Sequence, residues 1–186
     1  FMENVWGVHD GYPSPHRWIN DSDPLYPCYD PKIDPKDRLG CLANTAPLML
    51  KTFNGNLTKA GELCLSIADQ LERRGCFNNL ARQIHPMTFG QADKVYELCG
   101  YMPEGWIHLC LIDIAISDIS VGGRELAFEI CRRIDEGNSD ECYKSVLGTL
   151  YVYVPDRLEF INRCGNIEDL KWQKKCIDRG YSGQNN

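Results

Sequence analysis

Apolar residues recur at helical spacing around the cysteines. Four residues before Cys64, Cys99, Cys131 and Cys164 stand Ala60, Val95, Ala127 and Phe160, and three residues after them stand Ile67, Met102, Ile134 and Ile167. Positions −4, 0 and +3 share one face of an α-helix, so each of these cysteines belongs to the buried stripe of an amphipathic helix, here helix A. Directly after Cys41, Cys76, Cys110, Cys142 and Cys176 come Leu42, Phe77, Leu111, Tyr143 and Ile177; four residues after them come Thr45, Leu80, Ile114, Val146 and Gly180. That mostly apolar pattern predicts a second helix, B. Turn-forming residues fill the interval between A and B: Arg73-Arg74-Gly75, Pro103-Glu104-Gly105, Glu136-Gly137-Asn138 and Gly165-Asn166.

The cysteine separations carry the same period. Cys28, Cys41, Cys64, Cys76, Cys99, Cys110, Cys131, Cys142, Cys164 and Cys176 are separated by 13, 23, 12, 23, 11, 21, 11, 22 and 12 residues. Short and long gaps alternate throughout, giving a unit of about 34 residues, the signature of stacked repeats. The predicted fold is therefore all-α: a solenoid of about five helical hairpins spanning residues 39–181. A cysteine near the end of A and one near the start of B face each other across the turn. The expected pairs are Cys28–Cys41, Cys64–Cys76, Cys99–Cys110, Cys131–Cys142 and Cys164–Cys176, with the cross-repeat set beginning Cys41–Cys64 as the rival. Closing a loop of about 12 residues stabilises by roughly 2 to 3 kcal/mol, although five such terms need not add. No C-x-x-C occurs, so zinc knuckles and haem attachment are not indicated.

Disulfides persist outside the reducing cytosol, which predicts a periplasmic, cell-surface or secreted protein. The chain opens Phe1-Met2 with no basic, then apolar, segment, so any export signal is expected to have been removed or to lie upstream.

The stretch from Tyr96-Glu97-Leu98-Cys99 through Cys110-Leu111-Ile112 resembles the Sel1-like and tetratricopeptide helical repeats, and among them the Helicobacter cysteine-rich proteins, whose hairpins each carry a disulfide. The likeness is one of organisation and runs over residues 39 to about 180. It implies a right-handed superhelix used to bind peptides or partner proteins, and it carries over no catalytic residues.

Residues 1–38 differ in character. Six prolines up to Pro35 and the aromatics Trp6, Tyr12, Trp18, Tyr26 and Tyr29 exclude a long helix and predict an extended arm. Its aromatic side chains are expected to pack along the groove or edge of the first repeats, capping the solenoid, or to dock on another subunit. The alternative is a metal or acid–base site, because His9, Asp10 and His16 fall within eight residues beside Gly7 and Gly11. A short tail, 182–186, is read as flexible.

The 186 residues carry a formal charge of −6, and their longest basic runs are pairs. That balance argues against nucleic-acid and anionic-membrane partners. The most apolar segment, Trp106–Ile119, is interrupted by Asp113 and Asp118, so no membrane span is expected. G-x-S-x-G, H-E-x-x-H and P-loop motifs are absent from the chain. Carboxylate pairs such as Asp135-Glu136 and Glu168-Asp169 suit helix starts. His85 suits a helix end, and His108 a helix start or a surface patch with Trp106. Asn20 and Asn56 fit the N-glycosylation triplet. Tyr151-Val152-Tyr153-Val154 before Pro155 fits either an extended connector or the end of a helix B. An exposed Tyr151 and Tyr153 would form a partner-binding patch, as Trp6, Tyr12 and Trp18 would on the arm.

These readings converge on an exported, non-enzymatic protein-binding or structural subunit, needing no cofactor and contacting protein partners or neighbouring subunits. The competing expectation is a metal-binding protein or enzyme centred on His9, Asp10 and His16 and completed by residues upstream of Phe1. A third is a secreted effector whose staples resist proteases.

Overall fold

The computed structural model describes residues 23–123 and 125–182, and the described residues form helices and turns without strands. In order these are α1 (Tyr26–Tyr29), α2 (Arg38–Leu42), α3 (Ala46–Thr52), α4 (Leu57–Leu65), α5 (Gln70–Ile84), α6 (Ala92–Cys99), α7 (Ile107–Ser120), α8 (Glu125–Arg133), α9 (Glu136–Tyr153), α10 (Arg157–Cys164) and α11 (Leu170–Ser182). Single 3₁₀ turns at Pro35–Asp37, His85–Thr88 and Glu104–Trp106 lead into or out of them. Residues 1–22 and 183–186 lie outside the described residues, and with them most of the expected arm and nearly all of the expected tail.

Disulfides join α1 to α2, α4 to α5, α6 to α7, α8 to α9 and α10 to α11. The pairs are Cys28–Cys41, Cys64–Cys76, Cys99–Cys110, Cys131–Cys142 and Cys164–Cys176, with Cα atoms 5.3–5.7 Å apart. This is the within-hairpin set, and all ten cysteines are buried. Helices of eight or nine residues such as α6, α8 and α10 are marginal on their own. Each is held by packing and by a covalent link to its longer partner.

The chain divides into two compact units, Phe1–Gln83 with Tyr101–Pro103, and Ile84–Gly100 with Glu104–Asn186. In the first, Leu42, Met49, Ala60, Ile67, Phe77 and Leu80 form the core. Asn79 is buried among them and its side-chain oxygen accepts from the Ala46 N–H at 2.9 Å, satisfying a donor at the start of α3. Helix α5 begins at Gln70 because Asp69 Oδ1 accepts from the N–H groups of Leu71 and Glu72, both at 2.9 Å. Arg73-Arg74-Gly75 thus lies inside a helix rather than in the turn expected from its composition. Leu39 packs close against Gly75: its Cδ1 atom would sit 2.7 Å from a Cβ at that position and would have to shift.

In the second unit α7 is buried on nearly every face, consistent with a helix enclosed by neighbours. Its Asp118, also buried, has a structural task. Oδ2 accepts from the Ala127 N–H at 3.3 Å, at the start of α8, while Oδ1 lies 3.5 Å from His85 Nε2. The chain between the two helices turns through Gly122, at φ 90°, and Gly123. A methyl group on Gly123 would overlap the Asp118 carboxylate. Gly123→Ala is therefore expected to displace that cap and destabilise by roughly 2 kcal/mol, read as a lower urea midpoint with unchanged m-value.

Two phenols respond to these surroundings. Burial, reinforced by a 3.0 Å hydrogen bond donated to Glu72 Oε2, pushes Tyr29 up to about 12. Burial likewise pushes Tyr96 up to about 12, against the pull of the Arg133 guanidinium. The folded state holds these protons more tightly than the unfolded chain, whose phenols titrate near 10. Their contribution is complete below about pH 10 and is lost as pH rises towards about 12. Urea midpoints are expected to fall across that window, and Tyr29→Phe to flatten the fall.

Candidate functional site

Helix α9 carries Cys142, Tyr143, Val146, Leu147 and Leu150 inward, which leaves its last turn to decide what the following chain displays. The helix runs on through Tyr153, so the β-branched run is a helix end rather than an extended connector. It stops there because Val154 precedes Pro155 and leaves the helical region at φ −118°, ψ 83°. Asp156 then caps α10, its side chain accepting from the Glu159 N–H at 2.7 Å. The result is an elbow anchored by buried Val154 and Phe160.

Four apolar side chains of this elbow face solvent: Tyr151 at 45%, Val152 at 72%, Tyr153 at 57% and Leu158 at 73% exposure. Of these, Tyr151 also lines a cleft of about 310 Å³, together with Val154, Pro155, Arg157, Phe160 and Gly180. Tyr151 is fixed from both sides. Its ring meets Phe160 edge-on at 5.8 Å between centroids, and the Arg179 guanidinium lies 4.9 Å from its centroid. The close approach of α11 that places Arg179 there depends on Gly180, where a Cβ would lie 3.0 Å from Ile161 and 3.1 Å from Phe160. The surface thus combines a rigid aromatic ring, aliphatic area and two guanidinium groups at its margin. That is chemistry for recognising a protein surface.

No protein-family model, curated protein or solved structure matches the chain.

Of the other expected site residues, Tyr153 belongs to the elbow with Tyr151. Trp6, His9, Asp10, Tyr12, His16, Trp18 and Asn20 lie outside the described residues. Asn56 is exposed and caps α4, its side-chain oxygen accepting from the Lys59 N–H at 3.0 Å. His85 follows α5 and faces Asp118; His108 is the second residue of α7. Among the described residues no three of His, Cys, Asp and Glu gather to hold a metal ion, and no helix is long and apolar enough to cross a membrane. Asp135 and Asp169 cap α9 and α11, as expected of carboxylates at helix starts. Leu158 escapes sequence reasoning because a leucine at the start of an amphipathic helix reads as core. Phe89 escapes it too: it is 85% exposed on the turn before α6, in the left-handed region at φ 50°.

Proposed function

We propose that this chain is a non-enzymatic protein-binding or structural subunit working outside the cytoplasm, built as a solenoid of disulfide-closed hairpins of the Sel1-like/tetratricopeptide kind. The five disulfides support the extracytoplasmic setting, since such bonds persist where thiols are not kept reduced. The observation that carries the binding role is the elbow. Within eight residues, Tyr151, Val152, Tyr153 and Leu158 stay exposed, and Tyr151 lines a cleft beside them in the sequence, although the same helix end buries Leu150 and Val154. Its partner is a protein surface offering apolar side chains to the elbow.

Native purification from the source, with mass spectrometry of the co-migrating chains, tests this reading. A stoichiometric protein partner is expected, and Val152→Glu, which puts a charge into the exposed apolar patch next to Tyr151, is expected to weaken its hold roughly tenfold. Val152 is exposed, so the variant's melting temperature is expected to match the parent. A chain that runs alone, or a partner held equally by the variant, would overturn the reading.

A further inference from the structure

In the second compact unit a cleft of about 200 Å³ lies between α8, α9 and the turn joining α10 to α11, with Glu125, Phe128, Glu129, Arg132, Tyr143 and Glu168 on its walls. Tyr143 is 1% exposed and its ring stacks on Trp172, yet among the described residues its phenolic hydroxyl has no hydrogen-bond partner. Tyr143 meets the cleft as part of its wall, and the charges of Asp169, Arg132 and Glu168 act on the hydroxyl there. A polar group withdrawn from water without a partner is costly, so the cleft is shaped for an occupant that supplies one.

The charge on the walls selects the occupant. Three carboxylates stand there against one guanidinium, and that guanidinium is already engaged, with Arg132 Nε 3.4 Å from Glu168 Oε2. Glu125 and Glu129 stand one turn apart on α8 and repel each other, while Glu129 shares Arg133 with Asp93. Anions are therefore disfavoured and a cation is called for. Among the described residues no three of His, Cys, Asp and Glu gather to hold a metal ion, so the cation is a bulkier one. We infer that this cleft binds an organic ammonium group, carried by a lysine side chain or a free alkylamine. The Tyr143 hydroxyl oxygen accepts one N–H, and Glu125, Glu129 and Glu168 balance the charge. Acceptors brought by three separate elements suit the three diverging donors of an ammonium. Buried Phe128 gives its methylene stem an apolar wall. Tyr143 precedes Tyr151 by eight residues, about 12 Å along α9, so the site is separate from the elbow.

Amide NMR of the full chain tests the inference, titrating with butylammonium chloride and separately with acetyl-Gly-Lys-Gly-amide, against sodium chloride at equal ionic strength. Saturable shifts are expected in residues 125–132, 143 and 166–168. The dissociation constant is expected to rise about tenfold in Tyr143→Phe, the scale of a hydrogen bond to a charged donor, and about threefold in Glu125→Gln. Tyr143→Phe keeps the stack on Trp172 and removes a hydroxyl that the fold leaves unbonded, so without ligand its melting temperature is expected to match the parent's or exceed it. Tighter binding of the peptide would identify a protein lysine as the source, and tighter binding of butylammonium a free amine; either supports the site. Shifts spread over the whole acidic surface or reproduced by sodium chloride, an affinity unchanged in Tyr143→Phe, or a lower melting temperature for that variant would overturn it.

Discussion

Reduction of the five disulfides is expected to abolish the cooperative fold. Each bond closes a loop of 11 to 13 residues between successive helices, and a loop of that length contributes roughly 3 kcal/mol by restricting the unfolded chain. Domains of ordinary size are stable by about 5–15 kcal/mol in total, so even half of the summed effect is comparable with the whole. The helices that would have to survive include α6, α8 and α10, none longer than nine residues. Alone, such helices scarcely form in water. The buried sulfurs also make reduction wait on local opening, so it should be slow in native buffer and fast in mild denaturant. Thermal unfolding followed by far-UV circular dichroism, with and without a phosphine reductant, is expected to show a cooperative transition in the oxidised protein and none after reduction. Equal melting temperatures would mean that the apolar core suffices and the staples serve another purpose.

Trp172→Ala is expected to be the most damaging single substitution, at roughly 4 kcal/mol. Trp172 is 3% exposed on α11 and stacks on Tyr143 of α9, with ring centroids 5.4 Å apart and planes 14° from parallel. Its indole N–H donates to Asp140 Oδ1 at 3.2 Å, and Lys175 Nζ lies 4.1 Å from the ring centroid. Lys171 Nζ donates to the same carboxylate at 2.8 Å, and that hydrogen bond leads the effects that hold Asp140 below its ordinary range. Removing the indole therefore empties a large buried volume and takes one donor from Asp140. Trp172→Phe keeps the stack and loses only the donor, so it is expected to cost about 1 kcal/mol. Chemical denaturation of the three proteins measures both differences. Equal costs for Ala and Phe would show that the hydrogen bond rather than the stack holds α11 to α9.

The helical class and the disulfide pairs were legible because cysteine spacing and helical periodicity are local signals that agree with each other. Val95 four residues before Cys99 and Met102 three residues after it, for example, already mark the buried stripe that begins in α6. Glycines are where that reasoning fails. Gly75 and Gly137 both read as turn residues, yet Gly75 lies in the helix that Asp69 caps, with Leu39 close against it, and Gly137 in the helix that Asp135 caps. The Leu39 contact is invisible without knowing what lies opposite, whereas the Asp135 cap is local and the glycine beside it masks the signal. The elbow was half legible. Tyr151 and Tyr153 stand out in the sequence as aromatics beside a proline. Their exposure, and the contribution of Leu158, depend on where α9 ends and how α10 leaves it.

The most direct test of the stapled hairpins is a disulfide map of the protein purified from its native source, with free thiols blocked before non-reducing digestion. Five cystine peptides are expected, joining Cys28 to Cys41, Cys64 to Cys76, Cys99 to Cys110, Cys131 to Cys142 and Cys164 to Cys176, with no blocked thiol. Free cysteines, or links such as Cys41–Cys64, would contradict both the stapled hairpins and the extracytoplasmic role built on them.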